Sequence, residues 1–149
     1  MSYTMQILPN CPVGFEVDAE LLAATIDTLN DCAQACMADT GCDLSEENVA
    51  DMVSCVQLCL SCADVCIATA RIISRQSKYD PGVVIPLLGA CVAACRSCAD
   101  ECERHARMHE HCRVCAEACR SCERACRGLL AALGQEIETP AASRPTAME

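Results

Sequence analysis

The sequence predicts an all-α protein, an antiparallel up-down-up-down four-helix bundle with a cysteine-lined core. Three observations carry this. Apolar residues recur at steps of three and four along most of the chain, and no run alternates with the period of a strand. Cys supplies 17 of 149 residues, while aromatic residues (Tyr3, Phe15 and Tyr79) supply 2%. The cysteines themselves repeat at helical spacing, in register with the apolar face.

Residues 1–16, with Pro9 and Pro12 around Cys11, read as an irregular segment, and 17–134 as the bundle. The first helix is expected from about Asp18 to Ala38, with Leu21, Leu22, Ile26, Leu29, Cys32 and Cys36 on one face. Gly41 suits a left-handed C-cap. Ser45 offers an N-cap to a second helix, with Glu46 and Glu47 in its first turn. That helix is expected to reach about Arg75. A short polar loop follows, and Asp80-Pro81 reads as N-cap plus proline at the first helical position. Pro86 either bends the third helix or marks its start. The third helix continues to about Arg107. A break near His109 is expected, because an uninterrupted helix to Leu133 would be far longer than a bundle uses. The fourth helix ends before Gly134, and 135–149 reads as a flexible tail.

Formal net charge is −10 and the pI about 4.6. That excludes bulk phosphate contacts with nucleic acid. The opening residues MSYTMQILPN lack the basic and apolar regions of an export signal. The charge-free stretch from Pro81 to Cys95 falls short of the about 20 residues a membrane span needs. A soluble, cytoplasmic protein is therefore expected. In that reducing compartment a large, odd number of cysteines points to metal rather than to structural disulfides.

Three segments carry the chemistry: CVQLCLSCADVC (Cys55, Cys59, Cys62, Cys66), CVAACRSCADEC (Cys91, Cys95, Cys98, Cys102) and CAEACRSCERAC (Cys115, Cys119, Cys122, Cys126). Each is C-x3-C-x-S-C-x3-C. The first helix carries half a copy, Cys32 and Cys36, and Cys112 extends the last set. On a helix these positions fall at about 0°, 40°, −20° and 20°, a stripe of ~60° running ~16 Å. Arg96, Asp100, Glu101, Arg120, Glu123 and Arg124 fall off it. All other carboxylates are also expected on solvated faces, with no catalytic pair. No nucleophile, phosphate-loop or dinucleotide signature is present, so no enzyme is indicated.

Cysteine as a small buried hydrophobe does not account for so many repeats, because a thin thiol core buries little apolar area. Intrahelical disulfides are disfavoured at the ~5–6 Å Cβ spacing of i,i+4 pairs. Interhelical ones leave a thiol-disulfide switch as one alternative. Iron–sulfur clusters favour C-x2-C loops over helical spacings. Zinc or cadmium sequestration is the other alternative, but several four-thiolate zinc sites would bury net charge. Cu(I) is soft and monovalent. With bridging thiolates and two bonds per metal it matches sulfur one for one and leaves the core neutral. Two such bonds span ~4.6 Å, within reach of an i,i+4 pair. Capacity is then on the order of 15 Cu(I) or more per chain.

These motifs, over about residues 18–133, resemble the bacterial four-helix-bundle copper storage proteins of the cytosolic branch. The resemblance implies Cu(I) held by Cys pairs within helices and assembly into a homotetramer. It implies a role in copper buffering, detoxification or supply, with exchange to a copper donor or acceptor protein.

Antiparallel topology collects His105, Met108, His109, His111, Met52, Met37 and Cys42 at one end, a candidate mouth. At the other end the stripes continue as Leu29, Ile73, Leu87 and Leu130, a candidate plug. The candidate ligands are thus the cysteines of the stripes with Cys42 and Cys112, together with His105, His109, His111, Met52 and Met108.

Overall fold

The structure is a computed structural model describing residues 1–136; the expected tail falls, from residue 137 onward, outside the described residues. Four long helices form the bundle: α2 (Ala19–Asp43), α3 (Val53–Ile73), α4 (Pro81–His105) and α5 (Glu110–Ala132), preceded by a short α1 (Tyr3–Ile7). Each long helix packs on its sequence neighbours, and α5 closes the ring against α2. This is the expected up-down-up-down arrangement, and the described residues contain no strand.

Several boundaries differ from expectation. The N-terminal segment is helical at Tyr3–Ile7, and a 3-10 turn follows at Leu8–Asn10. Leu8 is buried against the bundle, and Ser2 Oγ donates to Asp27 Oδ2 at 2.6 Å, which ties the segment to α2. Asp18 caps α2 by accepting from the Leu21 backbone N–H. That helix runs through Gly41 to Asp43 and does not stop at a left-handed glycine. Ser45 does not cap α3. Its hydroxyl donates back to the Gly41 carbonyl, and a 3-10 turn at Val49–Met52 leads into α3.

The α3–α4 connection matches the sequence reading: Asp80 Oδ1 accepts from the Gly82 N–H and Pro81 opens α4. The helix continues through Pro86 without a break. The α4–α5 break falls where expected, with His109 as N-cap. Gly134, at φ 79°, ends α5; it donates to the Ala131 carbonyl while Gln135 donates to that of Leu130. That is the paired bonding of a glycine-terminated helix.

By length and composition alone, Val49–Ile73 and Pro81–His105 could cross a membrane. In the bundle, their cysteines face inward.

At one end the core is apolar. Leu29, Ile73, Leu88, Leu129 and Leu130 are buried there, whereas Leu87 is only partly covered and Leu88 fills the place expected for it. Each fully buried leucine contributes about 1.5–3 kcal/mol of transfer free energy. This end should hold the bundle together without metal. Leu29→Ala and Leu88→Ala are each expected to destabilise the copper-free protein by about 2–5 kcal/mol in anaerobic urea denaturation.

Candidate metal centre

All 17 cysteines carry free thiols, and all but Cys11 and Cys42 are buried. Their sulfurs form a continuous column. Near the leucine end Cys126 meets Cys91 at 3.8 Å, and Cys91 meets Cys66 at 3.7 Å. Cys66 also approaches Cys95 at 3.7 Å and Cys122 at 3.8 Å. Midway, Cys62 meets Cys32 at 4.0 Å, and Cys119 lies 3.8 Å from Cys32 and 3.6 Å from Cys36. Further along, Cys36 contacts Cys115 at 3.9 Å, Cys98 reaches Cys59 at 3.5 Å, and Cys55 reaches Cys102 at 3.6 Å.

The thiols group in fours whose sulfurs lie within 4.8 Å of one another, and the groups overlap. Cys32 belongs both to a set with Cys66, Cys95 and Cys122 and to a set with Cys36, Cys62 and Cys119. Cys36 and Cys119 recur in a third set with Cys98 and Cys115, and those two recur in a fourth with Cys59 and Cys102. Separate tetrahedral sites do not share ligands in this way; bridging thiolates do. The i,i+4 pairs Cys62–Cys66 and Cys98–Cys102 sit at 3.9 and 4.0 Å, so a small opening admits a two-coordinate metal.

Beyond Cys55 and Cys102 the column meets acid. Asp39 Oδ2 accepts from Cys59 at 3.5 Å, Cys102 at 3.6 Å and Cys55 at 3.7 Å. Its Oδ1 lies 2.6 Å from His111 Nδ1. Asp43 Oδ1 accepts from Cys112 at 3.5 Å. Both aspartates are buried, contrary to the expectation that the carboxylates lie on solvated faces. The signal was present: Cys32, Cys36, Asp39 and Asp43 follow the same 0, 4, 7, 11 spacing as the other stripes, with acid in the last two places. Buried anions at a helix C-terminus oppose the helix dipole, so packing alone does not favour them.

His105, His109 and His111 converge on this end. His105 bonds Glu101 at 3.1 Å. His109 Nδ1 lies 3.2 Å from Glu46 and its ring stacks on His111 at 5.2 Å. His111 Nε2 lies 2.8 Å from Glu46. Met52 is fully buried here. Met108 and Met37 instead face solvent, and Met108 is 74% exposed because it sits in the turn before α5. Cys42 is also exposed, on the lip of a groove between α2 and α5 whose floor includes Asp39, His111 and Cys115.

Burial sets the protonation here. It pushes Asp43 up to about 7, helped by the Cys55 thiol and the Asp39 charge. It also raises Asp39, against the His111 hydrogen bond. For His111, burial opposes the charge, but the hydrogen bonds its ring donates to the Asp39 and Glu46 carboxylates outweigh it and raise its pKa. Burial raises Cys112, and the two aspartate charges add to it. In the column, hydrogen bonds between neighbouring sulfurs divide the thiols: they raise Cys66, Cys95, Cys102, Cys119 and Cys126 above the ordinary thiol range and lower Cys32, Cys62, Cys91 and Cys115 below it, while burial pushes every one of them up.

The raised acid and the raised histidine act in one direction. Stability from Asp43 is full below the unfolded carboxylate value and is lost as pH rises through about 7. Stability from protonated His111 is lost over the range above 6.5. The reduced copper-free protein is therefore expected to lose on the order of 2–4 kcal/mol between pH 5 and pH 8 in urea denaturation, and Asp43→Asn should remove much of that slope.

Comparison with known proteins supports the same assignment of family. The copper storage protein family profile matches residues 18–131. Comparison with curated protein sequences gives no match. Among solved structures, the Streptomyces lividans copper storage protein Ccsp loaded with 10 copper equivalents is 50% identical, with a TM-score of 0.84 over 87% of this chain and 98% of that one. A histidine-to-alanine variant of Ccsp is 54% identical, with a TM-score of 0.77 over 79% of this chain and 98% of the other. A structure of five coppers loading a cytosolic copper storage protein from Streptomyces lividans is 54% identical, with a TM-score of 0.74 over 75% and 93%. A sulfur-lined four-helix bundle that matches the family profile along nearly its whole length belongs to the copper storage protein family.

Proposed function

We propose that this chain is a cytosolic, non-catalytic store that holds many Cu(I) ions through its buried thiolates. The overlapping sets of four thiols carry this reading, since sharing each sulfur between metals suits a monovalent, soft, low-coordinate ion. The proposed ligands are the cysteines of the four stripes, Cys112, and Met52, His105, His109 and His111 at the open end. Met108 and Cys42 stand outside this set because their side chains face solvent. Each Cu(I) would replace thiol protons, so loading would release acid.

A homo-oligomer, a tetramer by family likeness, is also proposed. Supporting it are Val53, Leu60 and Ile67, three exposed apolar residues spaced by seven on the outer face of α3. Copper exchange with a donor or acceptor protein would occur at the histidine end, since the leucine end is closed.

Anaerobic titration of reduced copper-free protein against a chromophoric Cu(I) chelator tests storage. No chelator complex is expected until well over about ten equivalents per chain. Saturation near a quarter of the thiols would point to zinc-type sites instead. For the mouth, replacing His105 and His109 by Phe should slow uptake in stopped-flow, while removing at most the copper those rings hold. For assembly, Leu60→Glu with Ile67→Glu should lower the mass seen in sedimentation.

A further inference from the structure

Cys112 stands apart from the sulfur column. Its neighbours are Asp43 Oδ1 and His111 Nδ1, each at 3.5 Å, and those two atoms are 3.6 Å from each other. Sulfur, oxygen and nitrogen thus form a nearly equilateral triangle. A tetrahedral cation with bonds of about 2.0–2.3 Å holds its ligands about 3.3–3.8 Å apart. The triangle already has the shape of one face of such a site.

The geometry points to a second occupant for this end of the copper-free protein: Cys112, His111 and Asp43, with Asp39 as fourth donor, fit a borderline divalent cation such as Zn²⁺, which incoming Cu(I) would displace from Cys112 and His111. One thiolate, one imidazole and two carboxylates match zinc's mixed preferences and lack the all-sulfur character that Cu(I) favours. Asp39 Oδ1 is now hydrogen-bonded to His111 Nδ1 at 2.6 Å. An opening of about 0.7 Å brings this edge to the spacing of two tetrahedral bonds of about 2.0 Å. The other ring nitrogen, Nε2, is 2.8 Å from Glu46, the carboxylate–histidine arrangement that orients a ligand ring toward a metal.

An independent observation marks the place as incomplete. Asp43 is fully buried, yet its Oδ2 has no hydrogen-bond partner, and neither does the buried Nε2 of His109. Leaving a buried carboxylate oxygen unsatisfied is costly, and a cation beside it removes that cost. Two aspartates and a thiolate against a dication leave one net negative charge, with Arg and Lys side chains absent from these contacts. The site sits directly beyond Cys55, Cys59 and Cys102, joined to them through Asp39 Oδ2, so an ion there would close the column's open end until displaced.

Zinc X-ray absorption tests this on the full-length, reduced, copper-free protein with one equivalent of Zn²⁺ under anaerobic conditions. One sulfur and three nitrogen or oxygen neighbours are expected. Asp43→Ala and His111→Ala should each convert the signal to sulfur only, and Glu46→Gln should weaken the mixed site by 10–100-fold in a competition titration. Far-UV circular dichroism checks that each variant folds, and either one of the first pair suffices. A four-sulfur shell in the unaltered protein overturns the proposal, as does a mixed shell that survives both substitutions. The storage reading stands or falls separately, on the Cu(I) titration.

Discussion

Thiols packed against one another in a water-free core cannot all ionise. Each thiolate would be a buried charge without a counterion, so burial penalises every ionisation in the column and limits how many sulfurs can carry charge at once. That constraint governs the architecture. It selects a cargo that exchanges one positive charge per sulfur, leaving the interior as neutral when full as when empty. It also explains why the helices need not move far: the charge balance that the fold tolerates is the same in both states, and the sulfurs are already 3.5–4.0 Å apart. The leucine end supplies cohesion that small thiols do not.

The histidine end differs in kind. There Asp39 and Asp43 bring carboxylates into the core and share protons with His111 and Cys112. Chains that bury acid against a helix dipole accept a stability cost, and such costs concentrate where a protein does its work. The expected pH sensitivity of the empty bundle and the proposed cation site would therefore have one origin.

Much of this was legible in the sequence. The three full stripes gave both the helices and their inward faces, because 4-7-11 spacing leaves little freedom on a 3.6-residue helix. Asp80-Pro81 and Gly134 placed their boundaries through local backbone chemistry. Gly41 misled for the opposite reason. A glycine permits a helix to end but does not require it, and burying Asp39 and Asp43 demands that α2 continue. Asp39 and Asp43 complete the α2 stripe by register, but their residue type reads as solvated, so the two signals conflict at those positions. The Asp39–His111 contact joins the first and last long helices, and no single-helix periodicity encodes how two distant helices slide past each other. The helix at Tyr3–Ile7 was hidden by the nearby prolines and is held by one aspartate and one leucine.

Finally, a column sealed at one end by Leu29, Ile73, Leu88, Leu129 and Leu130 is a stack rather than a pipe. With entry only at the histidine end, ions that enter first would settle deepest, and the last to arrive would be the first within reach of any acceptor. Cargo near Asp39 would turn over readily, while cargo beside Cys91 and Cys126 would form a reserve reached only after the upper positions empty. A single molecule would then act as two pools with different exchange times, separated by depth along the column.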